Sequence, residues 1–195
     1  MRARGWALFV ACTLGLALGL GGCSRRERND DCGAAERVVD PVLLAFLSKA
    51  RSAHHTADLR EAAGDSAAAL ASLQALTGGE LPPGNAPEVD EVLADTRARV
   101  ADLLSRGGRF DQADAEIAVG LEHAKAPTYF RGHLLEVRGL VEERREKDLR
   151  GQHRGQEADQ ARDRSLSAYE EAMKIQAEVI RTAVPTAAPS AVPHP

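Results

Sequence analysis

The punctuation of this chain by proline and glycine constrains its fold more than any other feature. Asp40-Pro41 places an N-cap residue before a proline at the first helical position, where the missing N–H removes no hydrogen bond. Leu43, Phe46, Leu47 and Ala50 follow at steps of three and four, the spacing of one helical face, and the run ends near Ala63 at Gly64. Asp65 starts a second run through Ala69, Leu70, Leu73 and Leu76. After a loop over 77–86 with Gly and Pro pairs at both ends, the order repeats. Pro87 opens a helix through Val89, Val92, Leu93, Val100, Leu103 and Leu104, Gly107-Gly108 closes it, and Asp111 begins a fourth with Ala113, Ile117, Ala118 and Leu121 on one face. A proline before the first helix and a glycine between two closely linked helices predict antiparallel hairpins, here two in succession.

A third pair is stretched. Pro127 is expected to open a helix through Phe130, Leu134, Val137, Leu140 and Val141, but the position equivalent to the earlier turn glycines is Glu146. A charged passage runs to about Arg164, broken at Gly151 and Gly155, before Leu166, Ala168, Tyr169, Ala172, Met173 and Ile180 restore the helical period. The passage reads as a longer hairpin whose tip, near 151–155, projects into solvent. From Thr182 the chain turns Ala- and Pro-rich, the composition of a disordered tail with polyproline II character. Aromatics make up only 4% of the chain, which favours Ala-rich, close-packed helices over a sheet. The expected fold is all-α, a stack of about six helices over 39–181 in pairs near 40–76, 87–124 and 127–181, between a tether at 23–38 and a tail at 182–195.

The start of the chain carries a different signal. Arg2 and Arg4 precede an uncharged run from Trp6 to Gly22, which ends in Leu20-Gly21-Gly22-Cys23. As a helix, Trp6 to Leu20 rises roughly 22 Å, short of a ~30 Å hydrocarbon core, so a signal peptide fits better than a membrane anchor. The segment resembles a bacterial lipoprotein signal peptide, with Leu20, Gly21 and Gly22 filling the cleavage box before the cysteine. The resemblance implies removal of residues 1–22, lipid on Cys23 as the only covalent group, and stable membrane attachment. Ser24, where an Asp would retain such a protein on the inner membrane, implies the periplasmic face of the outer membrane. Losing Arg2 and Arg4 leaves 23 basic against 29 acidic residues, about −6, which argues against nucleic acid as a partner. Cys12 leaves with the leader, so Cys32 remains as an unpaired thiol in the tether, with an intermolecular disulfide as the alternative.

The hairpins resemble tetratricopeptide repeats. Seven residues before each turn glycine lies a small residue, Ala57 and Ala101; five after it lie Ala69 and Ala113; nine after it lie Leu73 and Ile117. Gly108-Arg109-Phe110-Asp111-Gln112-Ala113 is the best single match, and Gly139, Tyr169 and Ala172 suit the third pair. Departures are Arg60, where a large apolar residue is usual, and turn glycines 44 residues apart, the excess lying in the Pro/Gly loop. The resemblance implies a groove lined by the first helix of each pair, with Arg51, His54, Asp58 and Glu61 from one and Asp95, Asp102, Ser105 and Arg106 from the next.

No GxSxG, HExxH, P-loop, GxGxxG or SxxK pattern occurs, and His54 with Asp58 at i, i+4 is the only hint of a metal or acid–base site. The chain therefore reads as a non-enzymatic, membrane-anchored scaffold without cofactor or metal, binding an unidentified envelope protein. Self-association is a second route to burial for so short a stack. The alternatives are a structural envelope spacer with no groove ligand and an envelope enzyme using the His/Asp site.

Overall fold

The computed structural model describes residues 40–183, which form six helices and no strand. These are α1 (Pro41–Ala62), α2 (Ser66–Thr77), α3 (Pro87–Arg106), α4 (Phe110–His123), α5 (Tyr129–Gly151) and α6 (Gly155–Ala183). Local chemistry sets most of the starts. The Asp40 carboxylate accepts from the Val42 amide at 2.8 Å and the Asp65 carboxylate from the Ala68 amide at 3.0 Å. One start differs from the sequence reading: Pro127 does not open α5, because Thr128 is the cap, its hydroxyl accepting from the Arg131 amide at 3.4 Å.

Each hairpin turn holds a left-handed residue just past the end of its first helix. Gly64 (φ 78°) and Gly108 (φ 72°) occupy this place in the first two, and His153 (φ 61°) in the third. The third turn therefore lies seven residues beyond Glu146, the position equivalent to the earlier turn glycines, and inside the 151–155 tip expected from the sequence. The second arm is displaced equally. Ala57 and Ala69 are twelve residues apart, as are Ala101 and Ala113, whereas their counterparts Gly139 and Ser165 are separated by 26. The third hairpin is thus the same unit with two extra helical turns in each arm. At its base the Ser165 hydroxyl donates to the Gly139 carbonyl at 3.0 Å. At its tip Leu149, Ala158 and Ala161 form a small apolar cluster of their own.

Helices pair as α1/α2, α3/α4 and α5/α6, and each new pair docks by its first helix: α3 touches both α1 and α2, and α5 touches both α3 and α4. The main core follows from this staggering. Ala57, Leu73, Ala94, Val100, Leu104, Ala113, Ile117, Leu134 and Val141 are buried in one continuous cluster. A second cluster of Phe46, Ala50, Leu76, Val89 and Leu93 closes the end beside the Pro/Gly loop. In α6 the buried residues are all small, namely Ala158, Ala161, Ser165, Ala168 and Ala172, which lets it lie close against α5.

α6 continues through Thr182 and Ala183, so the helix takes the first two residues assigned to the tail; the Thr182 hydroxyl bonds back to Glu178 and Val179 carbonyls. No helix among the described residues is long and apolar enough to cross a membrane. The cleavage box Leu20, Gly21 and Gly22, the lipidation residue Cys23, the tether with Cys32 and residues 184–195 lie outside the described residues.

Candidate functional site

The residues assigned to a groove do come from one set of facing helices, and the structure links most of them to one another. Arg99, midway along α3, reaches α1: its Nη2 donates to Asp58 at 2.5 Å and to Glu61 at 2.6 Å, and its Nη1 to the His54 carbonyl at 3.3 Å. Arg106, two turns on, donates to the other Glu61 oxygen at 3.0 Å and to Asp102 of its own helix. Asp102 in turn meets Arg144 of α5 at 2.8 Å, and Arg144 donates to the Ser105 hydroxyl at 2.6 Å. A chain of charges therefore crosses α1, α3 and α5 without interruption. Guanidinium forks suit such a chain, since one group can hold two carboxylates in fixed geometry.

Two consequences follow for the assigned residues. Ser105 is only 2% exposed and lies beneath Arg144, so it is removed from any open groove surface. His54 and Asp58 do not form a pair: His54 Nε2 meets the Thr96 hydroxyl at 2.9 Å, while Asp58 is taken by Arg99. Thr96 gives its single hydroxyl proton to the Val92 carbonyl at 2.7 Å, so Nε2 of His54 must be the donor. Burial pushes the His54 imidazole below its ordinary 6.5, with Asp95 and Asp58 pulling it up and Arg99 pushing it down. Asp95 lies 4.0 Å from His133 of α5. Arg51 is exposed and makes no ion pair among the described residues.

Sequence reasoning missed Arg99 and Arg144, the two residues that hold the face together. Arg99 carried a usable signal, because it sits four residues after Asp95 and three before Asp102 on the helix that carries four assigned positions. Arg144 carried none, since its partners are 39 and 42 residues away.

A second charged cluster joins α4, α5 and α6. Glu142, only 5% exposed, accepts from Arg164 at 2.9 Å, while Arg145 pairs with Asp114 and lies 5.5 Å over the Phe110 ring. Burial raises the Asp114 carboxyl above its usual range, against the pull of Arg145. Beside it runs a cleft of ≈ 360 Å³ whose lining includes Asp114, Arg138, Glu142 and Arg164. Like the first cluster, it balances its charges internally. Among the described residues no three His, Cys, Asp or Glu side chains are grouped to hold a metal ion. Compared with known proteins, the chain gives no significant match to a family model, a curated protein or a solved structure.

Proposed function

We propose that the chain is a lipid-anchored scaffold of the cell envelope whose helical body, built like tetratricopeptide repeats, binds another envelope protein and serves as an assembly factor. The observation that carries this reading is the docking of α3 and of α5 onto both helices of the pair before, in hairpins that each carry small residues at matched positions: Ala57 with Ala69, Ala101 with Ala113, Gly139 with Ser165. Stacks of this kind present the first helices as one extended surface. The attachment rests on the sequence Leu20-Gly21-Gly22-Cys23 and on Ser24, which favours the periplasmic face of the outer membrane.

Two experiments test the two halves of the proposal. A Cys23→Ala chain should lose metabolic palmitate label and leave the membrane fraction; if it is still labelled and still sediments with membranes, the anchor assignment fails. For the body, Arg51→Glu is the variant of choice, since Arg106→Glu would set a carboxylate against Glu61 and Asp102 and damage the fold. A partner recovered with the wild type from detergent-solubilised envelopes and lost with Arg51→Glu supports the groove. Recovery of the same proteins with both, or of none, goes against it.

One observation favours a second reading, a spacer with no groove ligand: the charges on the α1–α3–α5 face are already paired with one another. A spacer depends on the chain beyond α6, so removal of residues 184–195 should abolish its function, whereas a groove binder should tolerate it.

A further inference from the structure

α6 is amphipathic in an unusual sense. Its fully buried residues are all Ala or Ser, at 158, 161, 165, 168 and 172, and Tyr169, Ile175 and Val179 are half-buried, while three large apolar residues are held outward. Leu166, Met173 and Ile180, each one heptad from the next, are 55%, 61% and 65% exposed, and Ala177 lies on the same stripe. α6 is the last helix of the stack, and among the described residues nothing covers this face. A helix directed only at its own core would not hold three large apolar side chains on its exposed face.

The edge of the stripe identifies the occupant. Asp163 and Glu170 lie along it in the first half of the helix, and Lys174 and Arg181 lie along the same edge in the second half. Glu170, Lys174 and Arg181 make no ion pair among the described residues, and Asp163 meets only its neighbour Arg162 at 3.7 Å. A two-fold axis through Met173, perpendicular to the helix, lays this edge against itself in reverse order. Leu166 then faces Ile180 of the second copy, and Met173 faces Met173. At 1.5 Å per residue, Glu170 comes within about 3 Å along the axis of the opposite Lys174, and Asp163 within about 3 Å of the opposite Arg181. A parallel arrangement offers no such match, since it sets Met173 on Met173 but turns the charged edge toward the side that α5 covers.

We infer that α6 is the interface of an antiparallel homodimer centred on Met173. This inference stands apart from the groove on α1, α3 and α5, and either can fail alone. The test uses full-length chain in cells, with Cys32→Ser to remove the tether thiol and single cysteines added at exposed α6 positions. Met173→Cys should give a disulfide-linked dimer well above the Cys32→Ser background. Leu166→Cys alone should not, because the two copies of residue 166 are separated by about 21 Å along the axis, whereas Leu166→Cys expressed with Ile180→Cys should. Adding Lys174→Glu to Met173→Cys should lower the dimer roughly fivefold, and the exchange Glu170→Lys with Lys174→Glu should restore it. Helicity by circular dichroism on each purified variant checks that the fold is kept. The inference is overturned if Met173→Cys links no better than background or links to a different protein, or if Leu166→Cys links equally well with itself. It is overturned too if Lys174→Glu has no effect, or if dimer appears only after residues 184–195 are removed, which would give the face to the chain's own end.

Discussion

His54 illustrates how a single residue changes meaning once its surroundings are known. In sequence it stands four residues before Asp58 and invites a metal or acid–base reading; in the fold it donates to Thr96 and is half-buried against α3. Burial lowers its proton affinity in the native state, whereas the unfolded chain keeps the ordinary value of 6.5. Below that value the unfolded state binds a proton that the native state resists, so the contribution of His54 to stability is complete above pH 6.5 and is lost as pH falls through it. The thermal midpoint of the wild type should therefore drop more between pH 8 and pH 5.5 than that of His54→Gln, which keeps a donor for Thr96 but cannot titrate. Parallel curves for the two chains would show that the imidazole is not desolvated. The neighbouring charges that enter this balance, Asp95, Asp58 and Arg99, are unchanged in the variant.

Among the elements, the α5/α6 hairpin gives the sharpest contest between a local and a tertiary effect. Gly139 sits in mid-helix, and by helix propensity alone its replacement with Ala should stabilise the chain by about 1 kcal/mol. A Cβ at 139, however, would stand 2.6 Å from Tyr169 Cε1 and 2.7 Å from its Cζ. The Tyr169 hydroxyl donates to Glu143 at 3.2 Å, which holds the ring against withdrawal; separately, burial, followed by the Glu143 charge, pushes its pKa up to about 12. Overpacking of this kind costs about 1–3 kcal/mol and should prevail. Gly139→Ala is expected to lower the thermal midpoint by roughly 2–6 °C. Gly151→Ala, where an added Cβ meets nothing within 4 Å, should leave the midpoint unchanged or raise it slightly. A rise in both would mean that propensity, not the Tyr169 contact, governs position 139. Most element boundaries were legible in the sequence because caps act locally: Asp40, Asp65, Gly64 and Gly108 do their work within a few residues of themselves. The turn at His153 was located only as a zone near 151–155, because a left-handed histidine carries no signal comparable to glycine.

At the scale of the whole molecule, the third hairpin is the first two with an insert. Deleting 146–152 together with 156–162 would leave His153 seven residues after Gly139 and Ser165 five residues after His153, the spacing seen around Gly64 and Gly108. Only the Leu149, Ala158 and Ala161 cluster and the ion pairs at the tip are lost, and that cluster is separate from the main core. The shortened chain should unfold in one cooperative transition, with its helical signal reduced in proportion to the residues removed. Loss of cooperativity would show that the extension belongs to the core of the stack. Sequence by itself determined the all-helical class, the hairpin frame and the small residues at its contacts, because apolar period, caps and turn glycines are written within one or two helical turns. Which charges are free to meet a partner was decided only by the tertiary structure. Arg99 and Arg144 close on carboxylates that the chain brings in from about forty residues away, and no local pattern encodes such a meeting. The outward stripe on α6 was likewise settled there, because periodicity shows that Leu166, Met173 and Ile180 share a face but not whether that face turns toward α5 or away from it.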